Sequence, residues 1–202
     1  MIAAARAILA GRWPLFDRIA DLSAAAPDWF RDPLTGLRSD PDQYCFQVPY
    51  RRQDLVGNVK YVWEISRLHH VTVLAAAWHL TRDDRFAEHA LTHLRSWWRD
   101  NPPLSGIHWL SGIEIGLRLL AWAWTRRLLA SRPGIADAFE NDPLFLDQLH
   151  SHQRWLASFQ SRGSSANNHL IAEMAGQYAA AVAFPLFPEC RLGPESQGES
   201  RP

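Results

Sequence analysis

The apolar positions along this chain fall into two alternating patterns. Residues 62 to 80 are apolar nearly all round, with Glu64, Arg67 and His70 near the start of the run. Residues 83 to 99 instead carry one clean stripe, Phe86, Ala87, Ala90, Leu91, Leu94, Trp97 and Trp98, opposite a charged face. The first pattern predicts an inner helix and the second an outer, amphipathic one. The alternation continues: residues 111 to 131 are of the inner type, 143 to 160 of the outer type and 167 to 184 of the inner type again. Asn101-Pro102-Pro103 marks a break between them. Antiparallel hairpins of that kind, stacked around an axis, give an α/α toroid or a related solenoid.

Before the helical region the pattern is different. Residues 1 to 10 predict a short amphipathic helix that Gly11 and Pro14 end. From Trp13 to about Lys60 the chain is irregular, punctuated by Pro27, Pro33, Pro41 and Pro49, with a turn at Asp32-Pro33-Leu34-Thr35-Gly36. A long segment of this kind in a compact domain carries function or packs across another surface. The expected fold is therefore all-α: an incomplete α/α toroid of antiparallel helical hairpins with an irregular N-terminal segment. Residues 1–60 would pack on the toroid, 61–188 would form it, and 189–202, rich in Gly, Pro, Ser and Glu, would be a disordered tail.

Composition narrows the function classes. The 202 residues are 47% hydrophobic with ten Trp, enough for one domain with a substantial core. Net charge is zero, and Lys60 is the only lysine, so no basic block points to nucleic acid. The N-terminal apolar run is too short to span a bilayer and has no leading basic region, so neither membrane insertion nor a signal segment is expected. Cys45 and Cys190 lie far apart and form no metal-type pair, and no cofactor or metal is expected. His89 and His93 lie four apart, but no Glu follows His89, and the pair reads as a solvated helix face.

The candidate chemistry sits on the inner helices. The polar loop from Gly163 runs into a helix that Asn167 can cap through its side-chain oxygen. On that helix His169, Glu173 and Gln177 form one polar line on an otherwise apolar surface, to be directed into a cleft or satisfied within the core. Trp63 and Glu64 with Arg67, and Trp109 with the i,i+4 pair Glu114 and Arg118, occupy other inner helices. Converging at one end, these groups would suit an anionic polysaccharide, because aromatic rings stack on sugars and Arg grips carboxylate or sulfate bidentately. The plainer reading of each Glu/Arg pair is an ion pair tying neighbouring helices.

Several ordered motifs carry a resemblance. Trp29-Phe30-Arg31-Asp32-Pro33-Leu34-Thr35-Gly36, Trp63-Glu64-Ile65-Ser66-Arg67, Trp98-Arg99-Asp100-Asn101-Pro102, the run Trp109 to Arg118, Asn167-Asn168-His169-Leu170 and Phe187-Pro188-Glu189 together span about Arg12 to Glu189. In this combination the chain resembles the N-terminal toroid of the heparinase II/III-like polysaccharide lyases. The resemblance implies β-elimination on a uronic-acid polysaccharide such as heparan sulfate, alginate or an exopolysaccharide. By position Asn168 would neutralise the uronate carboxylate, and His169 would assist it or act as the base at C5. Asn167, Glu173, Trp63, Glu64, Arg67, Trp109, Glu114 and Arg118 would contact substrate. Lyases of this kind are often periplasmic or exported.

The chain also departs from that pattern. The family's catalytic Tyr and a further His come from later helices and a β-sandwich, and Tyr178 does not sit in the motif that carries the Tyr. The expectation is part of a lyase, inactive alone and prone to self-association through exposed toroid surface. Two other readings stay open: a toroid glycoside hydrolase using Glu64 and Glu114 as acid and base, and a helical binding module without chemistry.

Overall fold

Three side-chain caps start helices where the sequence turns from polar to apolar. Asn58 accepts a hydrogen bond from the Lys60 amide (3.1 Å), Asp83 from Arg85 (3.2 Å) and Asp142 from Leu144 (2.9 Å), the last followed by Pro143 in the first turn. The computed structural model describes residues 1–21, 27–163 and 166–187. In chain order its elements are α1 (Ile2–Leu9), β1 (Arg12–Leu15), β2 (Arg18–Asp21), α2 (Gln53–Val56), α3 (Val59–Ser66), α4 (His69–Thr81), α5 (Asp84–Asp100), α6 (Gly112–Leu128), α7 (Pro143–Ser158) and α8 (Asn168–Ala183). Among the described residues the fold is all-α apart from one two-stranded hairpin. The expected tail, 189–202, lies outside the described residues.

Helices α4, α6 and α8 pack side by side, and α5 and α7 pack against them as a second row. These rows correspond to the inner and outer patterns of the sequence. Between them lies an aromatic core, in which Trp98 meets Trp122 edge to face at 6.0 Å and Phe139 stacks on Phe184 at 6.0 Å. The stripe on α5 is buried as the periodicity predicts.

The α6–α8 contact is set by glycine. A Cβ added at Gly176 would collide with the Gly116 backbone, one at Gly116 with the Ala172 carbonyl, and one at Gly112 with the Glu173 carboxylate. At Gly116 and Gly176 the two backbones therefore meet with no side chain between them. As a consequence the small face of α8, Gly176, Ala180 and Ala181 with Glu173, is buried, while Ile171, Tyr178 and Val182 stand 61–70% exposed. The sequence predicted the reverse for these apolar residues, because periodicity does not reveal that a helix docks through its smallest side chains.

Three further differences have local causes. The inner stretch from residue 62 to 80 is two helices, because Leu68 adopts a left-handed backbone (φ 62°) that ends α3 and restarts the chain as α4. Burial of the Leu68 side chain offsets that strain. Within the segment read as irregular, Trp13 pairs with Ala20 in the hairpin, and Asp32 accepts hydrogen bonds from Leu34, Thr35 and the Asn58 amide. The predicted turn thereby anchors to the start of α3. Finally, His93 is buried and hydrogen-bonded to His70 (3.0 Å) beneath Trp29, so the solvated-face reading of His89 and His93 fails.

Arg118 anchors a second buried polar group. Its Nε donates to His152 Nε2 (3.1 Å), its Nη2 to the His108 carbonyl (2.7 Å), and its guanidinium lies 4.7 Å over the Trp97 ring. His152 Nδ1 lies 2.8 Å from the Gln148 carbonyl, which makes Nδ1 the protonated nitrogen and Nε2 the acceptor. Burial lowers the pKa of His70, His108 and His152, reinforced by His93 beside the first and by Arg118 beside the other two; His108 falls to about 3.

Replacing Gly176 by Ala tests the seam. An exposed helical Gly→Ala change stabilises by roughly 0.5–1 kcal/mol, whereas overpacking costs about 1–3 kcal/mol or more. Gly176→Ala is expected to lower the denaturant midpoint, by about 2 kcal/mol of stability; an unchanged or raised midpoint contradicts the close approach. The histidines predict an acid dependence. Their folded pKa values lie below the unfolded value of about 6.5, so the unfolded chain binds more protons and stability falls as pH drops below about 6.5. The expected slope is about 1.4 kcal/mol per pH unit for each histidine, read from denaturation midpoints between about pH 7 and pH 5. A flat profile contradicts their neutral burial.

Candidate functional site

The start of α8, the start of α6 and the end of α7 meet at one end of the molecule. There His169, Ser111, Gly112 and Ser161 line a cavity of about 450 Å3 together with aromatic walls: Trp63 from α3, Phe46 and Tyr50 from the N-terminal segment, and Trp155 and Phe159 from the end of α7. Trp63 is held by its indole N–H, which donates to the Ile107 carbonyl (2.9 Å), and its ring lies 6.1 Å from that of Tyr50. Among the described residues no carboxylate lines the cavity.

Asn167 and Asn168 are both exposed at the beginning of α8, and His169 is half-buried. Asn167 occupies the N-cap position but makes no cap hydrogen bond through its side chain, contrary to the sequence expectation. Ser164 and Ser165 of the preceding loop lie outside the described residues. Glu173 is buried one turn further along and accepts from the Ser161 amide (2.8 Å) and hydroxyl (2.6 Å). It thus fastens the chain after α7 to α8, directly over Gly112.

The expected Glu114–Arg118 pair does not form. Instead Arg67 spans two carboxylates: its Nε and Nη2 donate to Glu114 at 2.8 Å each, and its Nη1 pairs with Glu64. Glu114 and Arg118 share a helix face, yet the longer Arg118 reaches inward to the His108 carbonyl while Glu114 meets Arg67 arriving from α3. Hydrogen bonding to Glu114 raises the Arg67 pKa against the opposing effect of burial. His69, 3.7 Å from Glu64, is lowered by burial, with Glu64 opposing that shift. Arg118, at 0% exposure, is lowered to about 9 by burial, with Glu114 opposing. Trp109 is also wholly buried, its ring edge against His152 at 4.5 Å.

The ten residues singled out in the sequence thus occupy three places. Trp63 and His169 line the cavity, with Asn167 and Asn168 immediately before His169 and Glu173 beneath. Glu64, Arg67 and Glu114 form an ion cluster between α3 and α6, and Trp109 and Arg118 belong to the core. Phe46, Tyr50, Trp155, Phe159 and Ser161 were not anticipated. Phe46 and Tyr50 come from the irregular segment, and their aromatic character among prolines was the available signal.

Among the described residues no helix is long and apolar enough to cross a membrane. No curated protein and no solved structure matches the chain. The family model described as Heparinase II/III N-terminus matches residues 28–192, from the Asp32 turn through α8. With most of its length inside that match, the chain belongs to the heparinase II/III N-terminus family.

Proposed function

We propose that this chain binds an acidic, uronate-containing polysaccharide as part of a β-eliminating lyase, and that the cavity at the start of α8 receives the uronate. The observation that carries the reading is His169 at a helix N-terminus, inside an aromatic cavity that no carboxylate lines among the described residues. A uronate brings a carboxylate and a ring with apolar C–H faces. Amides in the first turn of α8 and its positive dipole end favour the anion. Trp63 and Tyr50 offer faces for the ring.

In this reading Asn168 donates hydrogen bonds to the carboxylate without adding charge, which makes the C5 proton more acidic. His169 supports that contact or removes the proton, and an acid protonates the leaving glycosidic oxygen. Tyr178 is not placed for that last role: it lines a different cavity, beside Trp124 and Val182. The remaining residues act at one remove. Glu173 holds Ser161, the Glu64–Arg67–Glu114 cluster holds α3 and hence Trp63, and Arg118 with Trp109 supports the 107–111 turn. Heparan sulfate, alginate and those bacterial exopolysaccharides that contain uronic acid all present the required uronate.

The hydrolase reading loses support, because Arg67 bridges Glu64 and Glu114 and Glu114 is buried. A binding module without chemistry would share the cavity but yield no unsaturated product. Asn168→Ala and His169→Ala are each expected to weaken binding of a uronate disaccharide by about tenfold, the loss of one charge-assisted hydrogen bond. Calorimetric titration reads this, with the denaturant midpoint as a folding control. Unchanged affinity in both variants contradicts the proposal. Ultraviolet absorbance of an unsaturated uronate would separate elimination from binding alone.

A further inference from the structure

The uronate cavity shares a wall with a second one. Trp155 and Phe159 line both, and on the far side the second cavity, about 290 Å3, continues to Leu104, Ser158 and Arg154. Phe159 is 50% exposed, Phe46 44% and Tyr44 48%. Their rings touch in series: Tyr44 to Phe46 at 5.6 Å, Phe46 to Phe159 at 5.4 Å, and Phe159 to Trp155 at 5.2 Å. Single exposed rings are ordinary on protein surfaces, but Tyr44, Phe46 and Phe159, three half-exposed rings in contact above the buried Trp155, mark a surface that something apolar covers.

Charge indicates what that is. Arg154 is exposed on α7 at the second cavity, and among the described residues no carboxylate lines either cavity. An anionic sugar chain has both required features, apolar ring faces for the aromatics and a carboxylate or sulfate for a guanidinium fork. We propose that Phe159, Trp155 and Arg154 form a second sugar-binding subsite, which takes the next anionic residue beyond the disaccharide unit held at the His169 cavity. The inference rests on the uronate reading of that cavity. It makes the groove fit an oligosaccharide rather than a single sugar, with Phe159 as the shared partition between subsites.

The test compares affinities of uronate disaccharide, tetrasaccharide and hexasaccharide for the full chain by calorimetry. For the unmodified protein the tetrasaccharide is expected to bind about tenfold more tightly than the disaccharide, as one further stacked and charge-paired residue allows. Arg154→Ala and Phe159→Ala are each expected to bring that ratio close to one, with an unchanged denaturant midpoint as control. A ratio retained in either variant overturns the subsite, even where His169→Ala still weakens the disaccharide. A ratio lost in both variants while His169→Ala leaves the disaccharide unaffected supports the subsite and overturns the role of His169. Absence of binding for all three saccharides overturns both. If Phe159→Ala changes only the sedimentation of the protein and not the ratio, the aromatic run is a contact between copies and the proposal fails.

Discussion

The rest of the structure depends on how closely α6 and α8 approach. Gly116 and Gly176 allow backbone to meet backbone, and Gly112 leaves the space that the Glu173 carboxylate fills. Glu173 then binds both the amide and hydroxyl of Ser161, which fixes the chain leaving α7. One seam of small residues thereby places three walls of the cavity: the Ser111–Gly112 start of α6, Ser161, and His169. Any side chain at these glycines would separate the helices and open the cavity at its base. A buried carboxylate is costly when unpaired, so Glu173 and its two donors are an interdependent unit rather than a surface decoration.

Two arginines supply the next level of support. Arg67 ties α3 to α6 through a bidentate contact with Glu114, and so positions the helix that presents Trp63. Arg118, wholly buried, grips the 107–111 turn from behind through the His108 carbonyl and rests on Trp97. Buried ion pairs contribute little net stability compared with apolar packing, but removing one partner is expensive. Their effect here is to fix geometry. The N-terminal segment completes the arrangement, because the Asp32 turn and Trp29 fasten it to α3 and α5 and thereby deliver Phe46 and Tyr50 to the cavity.

Much of this was legible in the sequence where a local rule sufficed. The alternation of periodic patterns predicted α5, α6, α7 and α8 and their two rows, and the Asp32 turn followed from its own residues. What escaped depended on contacts between distant residues. The left-handed Leu68 that divides α3 from α4 carries no glycine to announce it. Spacing paired Glu114 with Arg118, whereas the partner is Arg67, 47 positions away. On α8 the polar line did point inward at Glu173, yet the bulky apolar residues face outward, since the glycine seam reversed the usual rule that large apolar side chains are buried. The Asn168–His169 motif was recognisable, but Phe46 and Tyr50 among its aromatic surroundings came from a segment without periodicity.

The most direct test of the central claim is an amide-resolved NMR titration of the protein with a uronate disaccharide. The account predicts that the largest shifts fall on Asn168 and His169, with Ser111, Ser161 and the Trp63 indole N–H moving alongside them. Shifts confined to the opposite exposed face of α8, around Tyr178 and Val182, or no shifts at saturating saccharide, would contradict it.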